Sequence, residues 1–79
     1  MTEDIIRMFN KKHSDRVVMQ IMETEDCYIV VALRDPSNRR EMDPFFLMEK
    51  DGSDVVNFVP TMNQDLFNAG LRNIIYERK

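Results

Sequence analysis

An α+β fold is what this 79-residue sequence predicts: a four-stranded antiparallel sheet with two helices packed on one face, in the order α-β-β-β-β-α. Three observations carry that expectation. Apolar residues recur at helical spacing near each end of the chain, runs of extended-chain character lie between them, and Asp51-Gly52 joins two of those runs as a tight hairpin. An antiparallel meander with both helices on one side is the simplest arrangement of such a series.

In the first element, Thr2 can cap a helix whose opening turn holds Glu3 and Asp4 and whose end holds Lys11, Lys12 and His13. Those are the signs that the two ends of a helix favour. Ile5, Ile6 and Phe9 share one stripe, which predicts a short amphipathic helix over residues 3–12. From Val17 the pattern changes: "VVMQIME" sets Val17, Met19 and Ile21 on one side and Val18, Gln20 and Met22 on the other. This favours a strand, with a continuing helix as the competing reading because Met, Gln and Glu are good helix formers.

"ETED" reads as a turn, and "CYIVVALR" after it is the clearest strand, apolar on both faces and therefore central. "DPSNRREMD" follows as the longest loop, carrying Asp-Pro and Ser-Asn turn chemistry. The run "DPFFLMEKDGSDVVNFVP", residues 43–60, reads as a hairpin opened by Pro44 and closed by Pro60. Its strands leave two parities open, with either Phe45 and Leu47 or Phe46 and Met48 toward the helices. Past Pro60, Thr61 and Gln64 have capping-box spacing and Asn63 offers a competing cap. Phe67, Leu71, Ile74 and Ile75 then predict a helix over residues 64–77. Gly70 inside it costs about 1 kcal/mol relative to Ala, which points to a close approach of helix and sheet.

Residues 1–79 read as one small domain, and a chain this short buries only about 60 to 65% of the surface its unfolded form exposes. One cysteine and one histidine supply neither a disulfide nor a Cys/His metal staple within one chain. Association with itself or with another protein is the stabilising route that remains. The lone Cys27 favours a reducing compartment, "MTEDIIRMFNKKH" lacks the charge order of a signal peptide, and no apolar run reaches the length of a membrane span. The expectation is a soluble cytoplasmic protein without a membrane partner. A net charge of −3 removes the usual driving force for nucleic acid and is too small for a polyanion mimic.

No constellation of catalytic residues is evident, so the sequence argues against an enzyme. Cys27 and His13 could pair as nucleophile and base, but nothing suggests a third group to orient them, and a free cysteine commonly serves as a small core hydrophobe. Glu23, Glu25, Asp26, Asp35, Asp43, Asp51 and Asp54 read as turn residues. "DGSD" lacks the alternating ligands of a calcium loop, so neither metal nor cofactor is expected. Of the seven methionines, Met42 and Met62 are the best placed for surface contacts.

The functional expectation rests on the uncovered sheet face. With both helices on one side, Tyr28, Val30 and Ala32, together with Phe46 and Met48 in one of the two parities, reach solvent as a large apolar patch, the usual mark of an interaction surface. Arg34, Arg39 and Arg40 in the adjoining loop complete the candidate partner-binding set. The leading reading is a non-enzymatic protein–protein interaction module that binds itself or another protein. The alternative is a single-stranded nucleic-acid-binding domain that uses the Arg34, Arg39 and Arg40 loop beside Tyr28, Phe46 and Phe58.

Across residues 43–60, Asp-Pro-Phe-Phe, an apolar strand, Lys-Asp-Gly and Val-x-x-Phe-x-Pro together resemble the hairpin of small uncharacterised bacterial and prophage-encoded α+β proteins. The likeness covers little more than the C-terminal half, and the doubled Phe and Ser53 depart from the pattern. It implies a stand-alone phage or bacterial domain and carries no catalytic residues with it.

Overall fold

Glu3 and Asp4 open, and Lys11 and Lys12 close, the first element of the computed structural model, which describes all 79 residues: α1 spans Thr2–Lys12. Met1 occupies the cap position without a side-chain hydrogen bond, so Thr2 lies one residue inside the helix and does not cap it. Ile5 and Phe9 form its buried stripe. The strands β1 (Val17–Glu23), β2 (Cys27–Leu33), β3 (Phe45–Glu49) and β4 (Val55–Asn57) follow, then a short 3-10 turn at Pro60–Met62, α2 (Gln64–Leu71) and β5 (Ile74–Glu77). They build one antiparallel sheet in the order β4-β3-β2-β1-β5, with β2 at its centre.

The fifth strand corrects the expected helix over residues 64–77. Asn73 N–H donates to the Gly70 carbonyl and closes the helix, and the next three residues, Ile74, Ile75 and Tyr76, are of strand-favouring types. The free edge of β1 decides between the two periodicities. Glu23 N–H donates to Asn73 O at 2.9 Å and Arg78 N–H to Met19 O at 2.8 Å, so the segment gains a ladder in place of another helical turn. Asn63 is the cap that forms, its side chain accepting from Leu66 N–H at 3.2 Å, while Thr61 lies in the 3-10 turn.

The helices lie on opposite faces of the sheet, where the sequence reading placed them on one. Adjacent residues of a strand point to opposite sides, and the two helices choose differently along β2. Val30, Phe46 and Ile21 join Ile5 and Phe9 of α1 in one core cluster. A Cβ placed on Gly70 of α2 would instead stand 2.9 Å from Ile29 Cδ1 and 3.2 Å from Met22 Cβ. β2 explains the difference: it is apolar on both sides, and a single helical layer cannot shield both.

Register turns this into rows that cross the sheet. Under α1 lie Asn57, Phe46, Val30, Ile21 and Tyr76, and beside them Val55, Met48, Tyr28 and Glu23. A bulge between Val18 and Gln20 in β1 lets Val18 and Met19 both be buried. Buried Thr24 closes the β1–β2 turn, its hydroxyl accepting from Cys27 N–H at 3.1 Å. At the β3–β4 turn Gly52 takes φ 77, the left-handed conformation that glycine adopts without strain. No helix is long and apolar enough to cross a membrane.

Candidate interaction surface

Five of the eight candidate partner-binding residues, those expected on an open face, are core. Tyr28, Val30, Ala32, Phe46 and Met48 are all buried, because α1 covers the side of the sheet they share. Phe46 lies against Phe9 (ring centroids 5.2 Å apart) and His13 (4.7 Å), with the Arg16 guanidinium 4.8 Å from its ring centre. Lys50 Nζ stands 4.7 Å over the Tyr28 ring and donates to Glu23 at 2.6 Å. That hydrogen bond holds the Lys50 ammonium above the usual lysine range. A charge at Val30, which is 0% exposed, would therefore strike the core and not an exposed docking face.

Arg34, Arg39 and Arg40 are exposed, as expected of a loop, but the aromatic half of the nucleic-acid arrangement is missing beside them. Tyr28 and Phe46 are buried, and Phe58 packs toward Phe67 with ring centroids 6.4 Å apart. Arg34 Nε faces the Asp15 carboxylate at 3.7 Å. The loop is tied by local acceptors: Arg34 and Asp35 donate their N–H groups to the Glu41 carboxylate at 2.9 and 2.6 Å, and Ser37 donates its hydroxyl to Asp35 at 2.7 Å. Sequence reading missed Arg16, which donates to the Ala32 carbonyl at 3.2 Å and to that of Asp43 at 3.3 Å. Asp43 itself sits at φ 55, so this anchor holds the loop at a left-handed residue.

The backbone N–H groups of Arg34 and then Asp35 hold the Glu41 carboxyl below the usual glutamate range. A lowered folded-state pKa means that this stabilisation is present above the unfolded value of about 4.3 and is lost as pH falls through the folded value. Acid titration below pH ~4.3 should therefore open the loop, seen as faster amide hydrogen exchange at Arg34 and Asp35. In Glu41→Gln the exchange at those two amides should no longer change with pH beyond its intrinsic chemistry. A variant with the wild-type acid transition would show that another group ties the loop.

Cys27 and His13 are not brought together. Cys27 shares the Ile29 side of β2, where its thiol meets the Thr24 hydroxyl at 3.2 Å, whereas His13 stacks on Phe9 and lies tilted against Phe46 on the other side. The acidic turn residues do not gather into a group of three or more positioned to hold a metal ion. Asp35 and Asp51 serve their own turns, accepting from Ser37 and Ser53 respectively.

The surface that does stand out lies on the α2 side. Register places Val56, Leu47, Ile29, Met22 and Ile74 in one unbroken apolar row across all five strands. A helix as short as Gln64–Leu71 is about 12 Å long, whereas five strands span roughly 19 Å between the outer two. It cannot cover the row. Gly70 seats α2 over Met22 and Ile29, and the ends emerge: Val56 is 47% exposed and Ile74 39%. Two more apolar residues are exposed near this edge, Val59 at 46%, which alternates to the side of Val55 and Asn57, and Met62 in the 3-10 turn. Met42, the other methionine expected at the surface, is also exposed. One signal in the sequence marked this edge: residues 55–63, "VVNFVPTMN", contain no charge, in a chain that is 32% charged.

No family model matches the chain, and comparison with curated proteins and with solved structures returns no match.

Proposed function

We propose that the protein is a non-enzymatic interaction module that binds a polypeptide along the β4 side of its sheet. The observation that supports this reading is the apolar row that runs out from under α2 at Val56, with Val59 and Met62 exposed near the same edge of the sheet. Exposed apolar residues along an edge strand favour removal from water by a partner, and β4 adds an unpaired backbone edge to which an extended segment can hydrogen-bond. A stand-alone module of this kind also suits the likeness of residues 43–60 to small prophage-encoded proteins. On this reading the partner meets Leu47, Val56, Val59 and Met62, and not the buried Tyr28, Val30, Ala32, Phe46 and Met48.

A photocrosslinking amino acid at Val56 tests the proposal in cells, with the same group at Lys11 on the exposed side of α1 as control. The expected result is a discrete crosslinked species, with itself or with one other protein, from position 56 and none from position 11. No crosslinked protein at position 56, or the same diffuse pattern at both positions, would overturn the reading.

A further inference from the structure

We infer that the partner at this edge is a second copy of the chain, joined β4 to β4 about a two-fold axis at Asn57; this rests on the interaction-module reading and names its occupant. The backbone phase comes first. Glu49 N–H donates to Asp54 O and Phe58 N–H to Phe45 O, both at 3.0 Å, so the even-numbered residues of β4 bond inward to β3. The N–H and C=O groups of Val55 and Asn57 consequently point out of the sheet. Val59, still extended at φ −111 and ψ 107, prolongs that edge. In an antiparallel pair, hydrogen-bonded and non-hydrogen-bonded positions alternate. A two-fold axis at Asn57 therefore pairs Asn57 with itself through its outward N–H and C=O, and sets Val55 opposite Val59 of the second copy, where the Val59 N–H donates to the Val55 C=O while the Val59 C=O keeps the Met62 N–H that it accepts at 3.0 Å.

Side chains fit the same operation. Val56 comes opposite Phe58 of the second copy on the α2 side, a β-branched residue against an aromatic, which is a favourable cross-strand pair. Pro60, which has no N–H to give, falls at a position where the new ladder needs none. No like charges meet, because residues 55–63 carry no charge. The opposite edge of the sheet behaves differently. β5 is bounded by charged residues, Glu77, Arg78 and Lys79 on one side and Arg72 at the end of α2 on the other, and charges of this kind are how exposed edges avoid pairing. β4 lacks that protection, and Val56 and Val59 are the exposed apolar residues that the pairing at Asn57 covers.

Single cysteine variants read the register directly, with the parent chain as control because its own Cys27 is buried. In the proposed pairing two copies of residue 57 face each other with Cα atoms about 5.5 Å apart, within disulfide range. Asn57→Cys should then oxidise to a covalent dimer at least tenfold faster than Val56→Cys. Light scattering of the wild-type protein should show the mass rising from 9.4 kDa toward twice that value with concentration. Faster oxidation of Val56→Cys would overturn the register. A concentration-independent monomer mass, with no crosslinking of either variant, would overturn self-pairing altogether. If the position-56 photocrosslink then still captures one other protein, the interaction-module reading stands without it; if it captures none, both fall.

Discussion

Phe46→Ala should lower the unfolding free energy by about 3–5 kcal/mol, the range for truncating a fully buried aromatic. A domain of this length has about 4–12 kcal/mol to lose, so the variant should populate unfolded chain even without denaturant. Phe46 is 1% exposed and stands where several elements meet: Phe9 and His13 from α1, Arg16 from the α1–β1 corner, and Val30 from β2. Removing the ring leaves a cavity beneath α1 and takes away the surface on which the Arg16 guanidinium rests. Phe45, its neighbour, points the other way and is half-buried against Phe67 with ring centroids 5.5 Å apart. Phe45→Ala should cost less than half as much. Urea denaturation of the pair measures both, and a larger loss at Phe45 would reverse the assignment of faces.

That pair of adjacent aromatics also marks where the sequence ceased to be informative. The turn at Asp51-Gly52, the prolines around the hairpin, the charge order of α1 and the apolar continuity of β2 are local signals, and each element stands where they placed it. Which side of β3 faces which helix is set by partners distant in sequence, and neither Phe45 nor Phe46 carries a local mark of it. β2 held the hint that decided the architecture. A strand apolar on both sides calls for a layer on each, and reading that second side as an open interaction face led to the set of residues that proved to be core. Arg16 was illegible for the same reason, since the groups it binds belong to residues 32, 43 and 46.

The exposed ends of the row follow from where α2 starts and stops. Phe67 sets one part of the helix against Phe45 and Phe58 on the β3–β4 side, Gly70 sets its later part over Met22 and Ile29, and the helix ends at Leu71, at about 12 Å. The residues that the expected helix over 64–77 gives up, Ile74–Glu77, become a fifth strand beyond that end, so Ile74 is left 39% exposed there. Val56 lies beyond the other end of α2, on β4, and is left in water as well. Val56 was legible as a strand residue, but its exposure depends on where α2 docks, which no local signal marks.

Gly52→Ala should destabilise the fold by about 2–5 kcal/mol, through two causes that a double-mutant cycle can separate. The first is conformational. Gly52 has φ 77, and an L-residue held in the left-handed region costs about 1–2 kcal/mol. The second is steric, because a Cβ at Gly52 would stand 2.8 Å from Met8 Sδ and 2.9 Å from Met8 Cβ. The Sδ can swing aside; the Cβ cannot, so α1 itself has to lift. Overpacking of this kind costs about 1–3 kcal/mol. In a Met8→Ala background the Sδ and its neighbouring methylene are gone and only the Cβ contact remains. Gly52→Ala should then cost less, by about 1 kcal/mol, while the conformational part persists. Chemical denaturation of the four proteins gives the coupling. A Gly52→Ala penalty unchanged by Met8→Ala would mean that the tip of the Met8 side chain swings aside at no cost, leaving only the Cβ contact and the backbone conformation. A penalty under about 0.5 kcal/mol in the wild-type background would mean that the β3–β4 turn is not held beneath α1 at all. The expected coupling ties the most local feature of the sequence, an Asp-Gly turn, to the long-range event that closes the core.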